Sequence, residues 1–258
     1  MVSSQAMKQH STSAGIPAPE NPDTNPAVTR QAAVSQAEGG VRHTQIKICG
    51  FTNAEDAQFA CSSGVDAIGL VFYPPSSRNI EVHKAADVVA SLPPFVTITG
   101  LFLNAERSLI EKVLERVPLG LLQFHGTESP EFCQSFNRPY IKSVAMKSER
   151  DVVAYTRQFE SARGFLLDSN SAGSAGGSGE SFDWSVIPSE LPAPLILAGG
   201  LDCYNVAEAV TQTRPVAVDV SSSVESAKGI KDQALMQQFI QSVRAVDSAH
   251  NSKAMGAQ

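Results

Sequence analysis

The sequence predicts an α/β protein in which eight parallel strands close into a barrel surrounded by helices, preceded by a disordered N-terminal arm. Three observations predict this fold. Short runs rich in β-branched residues alternate with helical patterns. The runs are almost continuously apolar, as expected of strands that are buried on both faces. The composition also changes abruptly near residue 44, where the arm gives way to the barrel.

Residues 1–43 are predicted to form the disordered arm. They contain no Leu, Phe, Tyr or Trp, and their basic and acidic residues cancel. Such a segment buries too little apolar surface to offset the entropy that it would lose on ordering. It lacks the apolar core of a secretory signal. A transit peptide and a linker from a larger fusion protein remain alternatives.

The barrel domain is predicted over residues 44–248, and residues 249–258 are predicted to be a loose C-terminal tail. The eight predicted strands are Gln45–Cys49, Val65–Phe72, Val96–Phe102, Gly120–Phe124, Tyr140–Ala145, Gly164–Asp168, Leu195–Ala198 and Val216–Val220. Asn53, Asn104 and Ser129 are predicted to cap the helices that follow them.

Helical patterns fill the segments between the strands, and a last one follows the eighth strand. They are predicted at Asn53–Ser63, Val82–Leu92, Glu106–Val117, Ser129–Phe136, Glu149–Glu160, Phe182–Ile187, Asn205–Thr213 and Gln233–Val246. Eight such repeats with short connections favour a (βα)8 TIM barrel over the alternative, an open doubly wound sheet. In either fold, the chemistry belongs at the carboxyl ends of the strands.

The overall composition excludes several classes of function. The net charge of −6 and the pI of about 5.4 argue against a nucleic-acid partner, since such proteins have a pI above about 9. No window approaches the roughly 18 consecutive apolar residues of a membrane span. The four cysteines lie far apart without a Cys/His cluster. Neither a metal site nor a disulfide scaffold is therefore expected. The expected location is a reducing compartment, the cytoplasm.

The loops after the seventh and eighth strands predict a phosphate site. Gly199 and Gly200 follow one strand, and Ser221 and Ser222 follow the other. Glycine lets backbone N–H groups approach an anion, and a helix N-terminus after the eighth strand would add a favourable dipole. Gly177, in the glycine-rich loop after the sixth strand, is a further candidate. The alternative is that these residues only turn the chain and cap it.

Two residues at strand ends are candidates for proton transfer. Cys49 ends the first strand, and Lys47 points in the same direction two residues earlier. A nearby ammonium favours the reactive thiolate, although a cysteine in this position is often a small buried hydrophobe. Asp168 ends the sixth strand after two leucines, and a desolvated carboxyl group can act as an acid. Alternatively, Asp168 caps a helix or pairs with Lys47.

Six groups of motifs follow one another along residues 45–246. They are K-I-C-G-F-T at 47–52, G-L-V-F-Y-P-P-S-S-R at 69–78, Q-F-H-G at 123–126, L-L-D at 166–168 with G-G-S-G-E-S-F-D-W at 176–184, L-A-G-G-L at 197–201 and D-V-S-S at 219–222. In this order and at this spacing they resemble the phosphoribosylanthranilate isomerase family of tryptophan biosynthesis. K-I-C-G alone would not suffice for the resemblance.

The resemblance implies an intramolecular aldose–ketose isomerase that needs neither a cofactor nor a metal. Its substrate would be N-(5'-phosphoribosyl)anthranilate, which an Amadori rearrangement converts to 1-(2-carboxyphenylamino)-1-deoxyribulose 5-phosphate. Asp168 would protonate the ribose ring oxygen and open the ring to a protonated imine. Cys49, as a thiolate, would then remove the proton from the adjacent carbon. The imine itself is the electron sink.

The resemblance also implies roles for four substrate-binding residues. Arg78 would pair with the anthranilate carboxylate, because a guanidinium fork suits a planar carboxylate. Asp219 would accept a hydrogen bond from the substrate amine or from a sugar hydroxyl. Gln123 and His125 would line the substrate pocket, without a proton-transfer role for His125. A surface arginine and a structural acid at a strand end are the alternatives for Arg78 and Asp219.

The expected partner is a small phosphorylated substrate, and the chain is expected to be a monomer or a homodimer. A link to other enzymes of the tryptophan pathway stays open. Two features depart from the family pattern. The loop Asn170–Ser174 is rich in Ser and Ala instead of contact-making residues, and Ser223 stands where the family commonly has glycine after D-V-S-S. A Cβ atom at position 223 restricts φ in the phosphate loop, but serine can still donate a hydrogen bond there, so both departures are interpreted as variation within the family.

Other functions compete with this one. The Amadori isomerase of the histidine pathway would have aspartate in place of Cys49. Indole-glycerol-phosphate synthase would need a catalytic Lys and Glu pair, for which Lys47 lies one layer too deep in the barrel. A pseudoenzyme that binds a phosphorylated ligand, or a scaffold segment of a fused complex, is the alternative outside enzymes. The presence of both Cys49 and Asp168 favours an active enzyme.

Overall fold

In the computed structural model of the chain, the described residues are 1, 43–170 and 181–256. Most of the predicted arm, residues 2–42, and the predicted phosphate ligand Gly177 lie outside them.

Eight parallel strands form a closed barrel in chain order, and β8 completes it by pairing with β1. The predicted (βα)8 TIM barrel is confirmed. The strands are β1 Gln45–Cys49, β2 Ala67–Val71, β3 Thr97–Phe102, β4 Leu121–Phe124, β5 Tyr140–Ala145, β6 Phe165–Asp168, β7 Leu195–Leu197 and β8 Ala217–Val220.

Helices follow most of the strands, as the alternating pattern predicts. They are α1 Ala54–Ser62, α2 Val82–Ala90, α3 Arg107–Arg116, α4 Pro130–Gln134, α5 Val152–Arg157, α6 Val206–Thr213 and α7 Gln233–Gly256. Between β6 and β7, the described residues contain one 3-10 turn, Trp184–Val186, where the weakest helix was predicted.

Two of the three predicted helix caps are present. The Asn53 side chain accepts a hydrogen bond from the backbone N–H of Asp56 at 2.9 Å, and the Ser129 side chain accepts one from Phe132 at 3.3 Å. The prediction for Asn104 is wrong. This residue has a positive φ of 47°, and its side chain accepts from the backbone N–H of Thr127 at 2.7 Å. It therefore ties two loops together instead of capping α3.

Two features differ from the expectation near the C-terminus. Helix α7 continues to Gly256, so the loose tail predicted from residue 249 begins as helix. The reason is that no glycine or proline interrupts the chain between Gln233 and Gly256. In addition, a short antiparallel hairpin, β9 Glu225–Ala227 and β10 Ile230–Lys231, follows a 3-10 turn after β8.

The main hydrophobic core lies between the barrel and its helices. Ile46 and Ile48 of β1 belong to it and are fully buried. Lys47 and Cys49 alternate with them and therefore point to the barrel interior. Burial of Lys47 and of other polar residues places charge inside the barrel, below its carboxyl end. In the described part of the chain, no helix combines the length and the apolar character needed to cross a membrane.

Candidate active site

A cleft opens at the carboxyl end of the barrel and encloses about 730 Å³, part of it open solvent. The cleft is lined by every predicted site residue that the structure describes: Cys49, Arg78, Gln123, His125, Asp168, Gly199, Gly200, Asp219, Ser221 and Ser222. The topology thus brings together residues that are up to 173 positions apart in the sequence, from 49 to 222.

Cys49 lies beside a buried ion pair. The ammonium of Lys47 donates hydrogen bonds to both carboxylate oxygens of Asp219, each at 2.9 Å. Burial raises the pKa of the Cys49 thiol. Lys47 lowers that pKa, as the sequence suggested, but by less than burial raises it, and Asp219 opposes Lys47. Cys49 is therefore a neutral thiol in the free protein, and it is a strong base once ionised.

Lys47 is paired with Asp219 and not with Asp168. Burial alone would lower the pKa of Lys47, but the negative charge of Asp219 and the hydrogen bonds with Asp219 raise it overall. The ammonium consequently stays protonated, and its pairing with Asp219 compensates a charge that would otherwise be costly in the barrel interior.

Asp168 stands on β6, which β7 and β8 separate from β1 in the barrel. Its Oδ1 accepts hydrogen bonds from the Asn170 side chain at 2.7 Å and from the Asn170 backbone at 3.3 Å. Burial nevertheless raises the pKa of Asp168 above its usual range, and the Asn170 bonds offset only part of the shift. A carboxyl group in this setting is suited to hold a proton and to donate it.

His125 lies next to Asp168, with 3.7 Å between His125 Nε2 and Asp168 Oδ2. Burial and then the positive charge of Lys142 lower the pKa of His125 to about 4. The ring is therefore neutral near pH 7. Its Nδ1 is 3.2 Å from the Gln123 amide nitrogen and 2.8 Å from Ser143 Oγ. With the amide donating to Nδ1, the hydrogen is on Nε2 and faces Asp168.

Gln123 also presents an acceptor without a partner. Its side chain is fully buried, and within the described ranges no group donates a hydrogen bond to its Oε1. A buried acceptor that is left without a hydrogen bond lowers the folding stability by about 1–3 kcal/mol. A hydroxyl group bound in the cleft would satisfy it.

Arg78 reaches the cleft from the loop after β2. Its guanidinium already makes a bidentate contact with Glu225, through Nε at 2.8 Å and Nη2 at 2.9 Å. The sequence did not anticipate this partner. The contact places Arg78 in the cleft wall, which excludes the alternative of a free surface arginine.

The loops after β7 and β8 meet at one end of the cleft. Gly199 has a positive φ of 81°, and a Cβ atom there would come within 2.3 Å of the Ser169 backbone nitrogen. Only glycine therefore fits this position. Among the described residues, no protein group accepts a hydrogen bond from the backbone N–H of Gly200 or of Ser222. These donors and the Ser222 hydroxyl are suited to an anion.

Ser223 does not strain the phosphate loop in the way that the departure from the family pattern suggested. It lies in the 3-10 turn Ser222–Val224, and its φ is not positive. Its hydroxyl donates a hydrogen bond to the carbonyl oxygen of Leu201. The residue that replaces glycine thus ties the β8 loop to the β7 loop.

We predict that Ser223→Ala weakens the binding of a phosphorylated ligand in the cleft about threefold, because one hydrogen bond between the two phosphate loops is lost. Calorimetric titration measures the effect. Ser62→Ala is the matched control, since the Ser62 hydroxyl donates to the Phe59 carbonyl on an exposed helix away from the cleft. Equal Kd values for Ser223→Ala and for the unaltered chain would contradict the prediction.

The sequence reasoning missed four buried charged residues around the site. Glu225 and Lys231 form an ion pair on the β9–β10 hairpin, with 2.8 Å between their charged atoms. Lys142 donates to Glu128 at 3.0 Å and to the carbonyl of Gly126 at 2.6 Å, behind His125. A lysine inside an apolar strand was the available signal for Lys142. For the hairpin, the available signal was the dipeptide Lys228-Gly229, because a two-residue loop that contains glycine between two short strands is typical of a β-hairpin.

Known proteins match the chain over the whole barrel. The family model for N-(5'phosphoribosyl)anthranilate (PRA) isomerase matches residues 46–242. The chain is 52% identical over 198 residues to N-(5'-phosphoribosyl)anthranilate isomerase of Pseudomonas putida (strain W619), an alignment that covers 77% of this chain and 96% of that protein.

Solved structures agree with this match. Phosphoribosyl anthranilate isomerase from Thermotoga maritima is 40% identical, with a TM-score of 0.71, over 79% of this chain and 100% of that one. A phosphoribosyl anthranilate isomerase in complex with reduced 1-(o-carboxyphenylamino)-1-deoxyribulose 5-phosphate is 38% identical, with a TM-score of 0.67 and the same coverage.

Proposed function

The chain belongs to the N-(5'-phosphoribosyl)anthranilate isomerase family and is an isomerase of tryptophan biosynthesis, and on that premise we propose that Cys49 and Asp168 are its catalytic base and acid. The reaction is the Amadori rearrangement of N-(5'-phosphoribosyl)anthranilate to 1-(2-carboxyphenylamino)-1-deoxyribulose 5-phosphate. One observation carries the proposal. A buried thiol and a buried carboxyl group with a raised pKa line the same cleft from strands that are not adjacent.

The acid acts first. Protonated Asp168 donates its proton to the ring oxygen of the ribose, and the bond between that oxygen and C1 breaks. The electron pair of the nitrogen forms the protonated imine at C1. Burial raises the pKa of Asp168, so that a larger fraction of its carboxyl group carries the proton that this step needs. His125 stays neutral and directs its ring at Asp168, without giving up a proton.

The base acts second. The Cys49 thiolate takes the proton from C2, and the electrons move into the imine to give an enolamine. While the protonated imine lies in the cleft beside Cys49, its positive charge favours the thiolate form of Cys49 over the thiol. Tautomerisation then moves a proton to C1 and leaves the ketone at C2. The number of electrons on the substrate does not change.

The remaining residues bind the substrate. The β7 and β8 loops hold the phosphate with the backbone of Gly199 and Gly200 and with Ser221 and Ser222. Arg78 pairs with the anthranilate carboxylate. The unpartnered Oε1 of Gln123 and the carboxylate of Asp219 accept hydrogen bonds from the sugar hydroxyls or the amine. Support for the ligand comes from the complex of a relative with the reduced product.

The two raised pKa values predict an unusual pH dependence. The productive form carries a protonated Asp168 and an ionised Cys49, although a carboxyl group normally ionises below a thiol. Between the two pKa values the fraction of this form is small but constant. We therefore expect kcat/KM to be flat in that range, to fall below the pKa of Asp168 and to fall above the pKa of Cys49.

Asp168→Asn should change the shape of this profile. Without the acid, ring opening should limit the residual kcat/KM, so this value should not fall above the pKa of Cys49, where that of the unaltered chain does. The pH profiles of Asp168→Asn and of the unaltered chain are compared above about pH 7, because the second ionisation of the substrate phosphate, near pH 6, is then complete. A residual activity whose pH profile parallels that of the unaltered chain would contradict the role of Asp168.

Turnover tests the function itself. The full chain is assayed with N-(5'-phosphoribosyl)anthranilate, and it is tested for rescue of a tryptophan auxotroph that lacks this isomerase. Cys49→Ser and Asp168→Asn should both fail to rescue. Tight binding of the reduced product without turnover by the unaltered chain would overturn the proposal in favour of a ligand-binding protein. Turnover of the histidine-pathway aldose amine alone would overturn it in favour of a different isomerase.

A further inference from the structure

The β9–β10 hairpin carries two buried charges that the proposed reaction does not use. The Glu225 and Lys231 side chains are only 3% and 1% exposed. Lys231 Nζ lies 2.8 Å from one carboxylate oxygen of Glu225. Arg78 donates hydrogen bonds to both carboxylate oxygens of Glu225. A buried ionic cluster seldom stabilises a fold more than apolar packing would. Its position beside the cleft suggests a role in ligand binding.

The contact with Glu225 uses one edge of the Arg78 guanidinium. A guanidinium has five N–H donors in a planar fork, and Glu225 takes Nε–H and one N–H of Nη2. The other edge consists of Nη1 and the second N–H of Nη2. Across the described residues, Nη1 has no hydrogen-bond acceptor. Since Arg78 lines the cleft, this edge remains for a planar carboxylate, which a guanidinium binds with two parallel bonds.

We infer that Glu225 is a positioning residue that grips one edge of the Arg78 guanidinium and thereby presents the other edge to the carboxylate of the substrate. The inference rests on the proposed function, because that function supplies a substrate with an aromatic carboxylate. Glu225 touches neither the substrate nor the reacting atoms. It determines how strongly the site prefers a carboxylated ring.

Glu225 is itself held firmly. Burial alone would raise the pKa of Glu225, but the bonds from Arg78 and the charge of Lys231 lower it overall, so that the carboxylate stays ionised. The backbone N–H of Gly229 donates to Glu225 Oε2 at 3.3 Å. The Thr52 hydroxyl donates to the Gly229 carbonyl at 3.1 Å and fixes the hairpin to the loop after β1.

The Arg78 side chain is also held from its other side. It lies against Gly50, where a Cβ atom would come within 2.6 Å of Arg78 Cδ. Glycine at this position therefore lets the arginine stem pass close to the backbone that follows Cys49. The guanidinium is thus fixed between the β1 loop and the hairpin, and little entropy is left to lose when a ligand binds.

Lys231 serves a different part of the site. Its ammonium donates to the carbonyl oxygen of Ser221, in the phosphate loop, at 3.0 Å. Lys231 contacts Glu225 as Arg78 does, and its side chain is as deeply buried as that of Glu225. Its other contact lies at the phosphate end of the cleft. Lys231 therefore provides a matched control for Glu225 within the same cluster.

The experiment compares two ligands by calorimetry. One is reduced 1-(o-carboxyphenylamino)-1-deoxyribulose 5-phosphate, and the other is the same compound without the carboxyl group. The ratio of their Kd values measures the preference for the carboxylate. Glu225→Gln should lower this preference about tenfold and leave the Kd of the ligand without the carboxyl group unchanged. Lys231→Met should weaken both ligands equally and leave the preference intact.

A double-mutant cycle shows whether Glu225 acts through Arg78. Arg78→Lys should remove the preference, because an ammonium has no edge to present. Adding Glu225→Gln to Arg78→Lys should not change the preference further. With the substrate, Glu225→Gln should raise KM about tenfold at nearly constant kcat. If Glu225→Gln does not fold, the double variant Glu225→Gln with Lys231→Met removes one charge of each sign and allows the same comparison.

The outcomes separate the inference from the proposed function. A Glu225→Gln variant that weakens both ligands equally, or that keeps the preference, would overturn the inference while the unaltered chain still turns over its substrate. Absence of turnover in the unaltered chain, with a preference for the carboxylate that depends on Glu225, would overturn the proposed function and support the inference. An unaltered chain that binds both ligands equally would overturn the inference directly.

Discussion

Cys49→Ala is expected to lower kcat by about 10²–10⁴-fold, the usual contribution of a positioned acid or base. The loss should fall on the removal of the C2 proton, because no other thiol lines the cleft among the described residues. Cys49→Ser keeps the shape of the side chain, but its hydroxyl group ionises far above the thiol. It should therefore be nearly as inactive as the alanine variant. Steady-state kinetics with N-(5'-phosphoribosyl)anthranilate measures both variants.

Binding should survive both Cys49 substitutions. Because burial keeps Cys49 a neutral thiol in the free protein, its removal leaves no uncompensated charge, and the pair of Lys47 and Asp219 persists. The Kd of the reduced product should consequently stay unchanged. Cys61→Ser is the control, since that thiol lies on α1 outside the cleft. Turnover by Cys49→Ala close to that of the unaltered chain would point to Asp219 as the base instead.

Asp168→Asn is expected to lower kcat by a similar factor, about 10²–10⁴-fold, because the amide cannot donate an acidic proton to the ring oxygen. Its Oδ1 can still accept the two bonds from Asn170, so the local contacts of residue 168 should persist. The defect should be smaller toward an analogue that is already held in the open imine form. Cys49→Ser should handle that analogue no better than the natural substrate.

Stability distinguishes Asp168 from the other buried carboxylate of the cleft. Burial raises the pKa of Asp168 and also, against the opposing charge of Lys47, that of Asp219, so the ionised form of each is costly to the fold. Of the two, only Asp219 holds a buried ammonium by direct hydrogen bonds. Asp168→Asn should therefore keep or raise the thermal midpoint near pH 7. Asp219→Asn removes the partner of the Lys47 ammonium and should cost about 3–5 kcal/mol of folding free energy. Thermal unfolding checks both, and equal loss of stability in the two variants would contradict the assignment.

Local patterns in the sequence predicted the fold and the identity of most candidate site residues. The bounds of β1 and β5 agree with the predicted runs to the residue. Thr44 and Gly50 flank the first run, and Pro139 precedes the second. The barrel then dictates that strand ends converge, and so places Cys49 and Asp168 in one cleft.

The partners of the charged residues could not be predicted in the same way. Arg78 and Glu225 are 147 positions apart, and Lys47 and Asp219 are 172 apart. Hydrophobic periodicity specifies which face of an element is buried, but it carries no information on which buried charge meets which. The net pKa of Cys49 was misjudged for the same reason. The sequence places Lys47 near Cys49, but the burial that raises the pKa of Cys49, and then the opposing charge of Asp219, depend on the closed barrel.

The assignment of a separate acid and base is tested most directly by the deuterium isotope effect on turnover of substrate labelled at C2 of the ribose. Cys49→Ser slows removal of that proton, so it should show a full primary isotope effect. Asp168→Asn slows ring opening, which precedes that step, so it should show none. The same effect in both variants, or an isotope effect in Asp168→Asn alone, would contradict the roles proposed for Cys49 and Asp168.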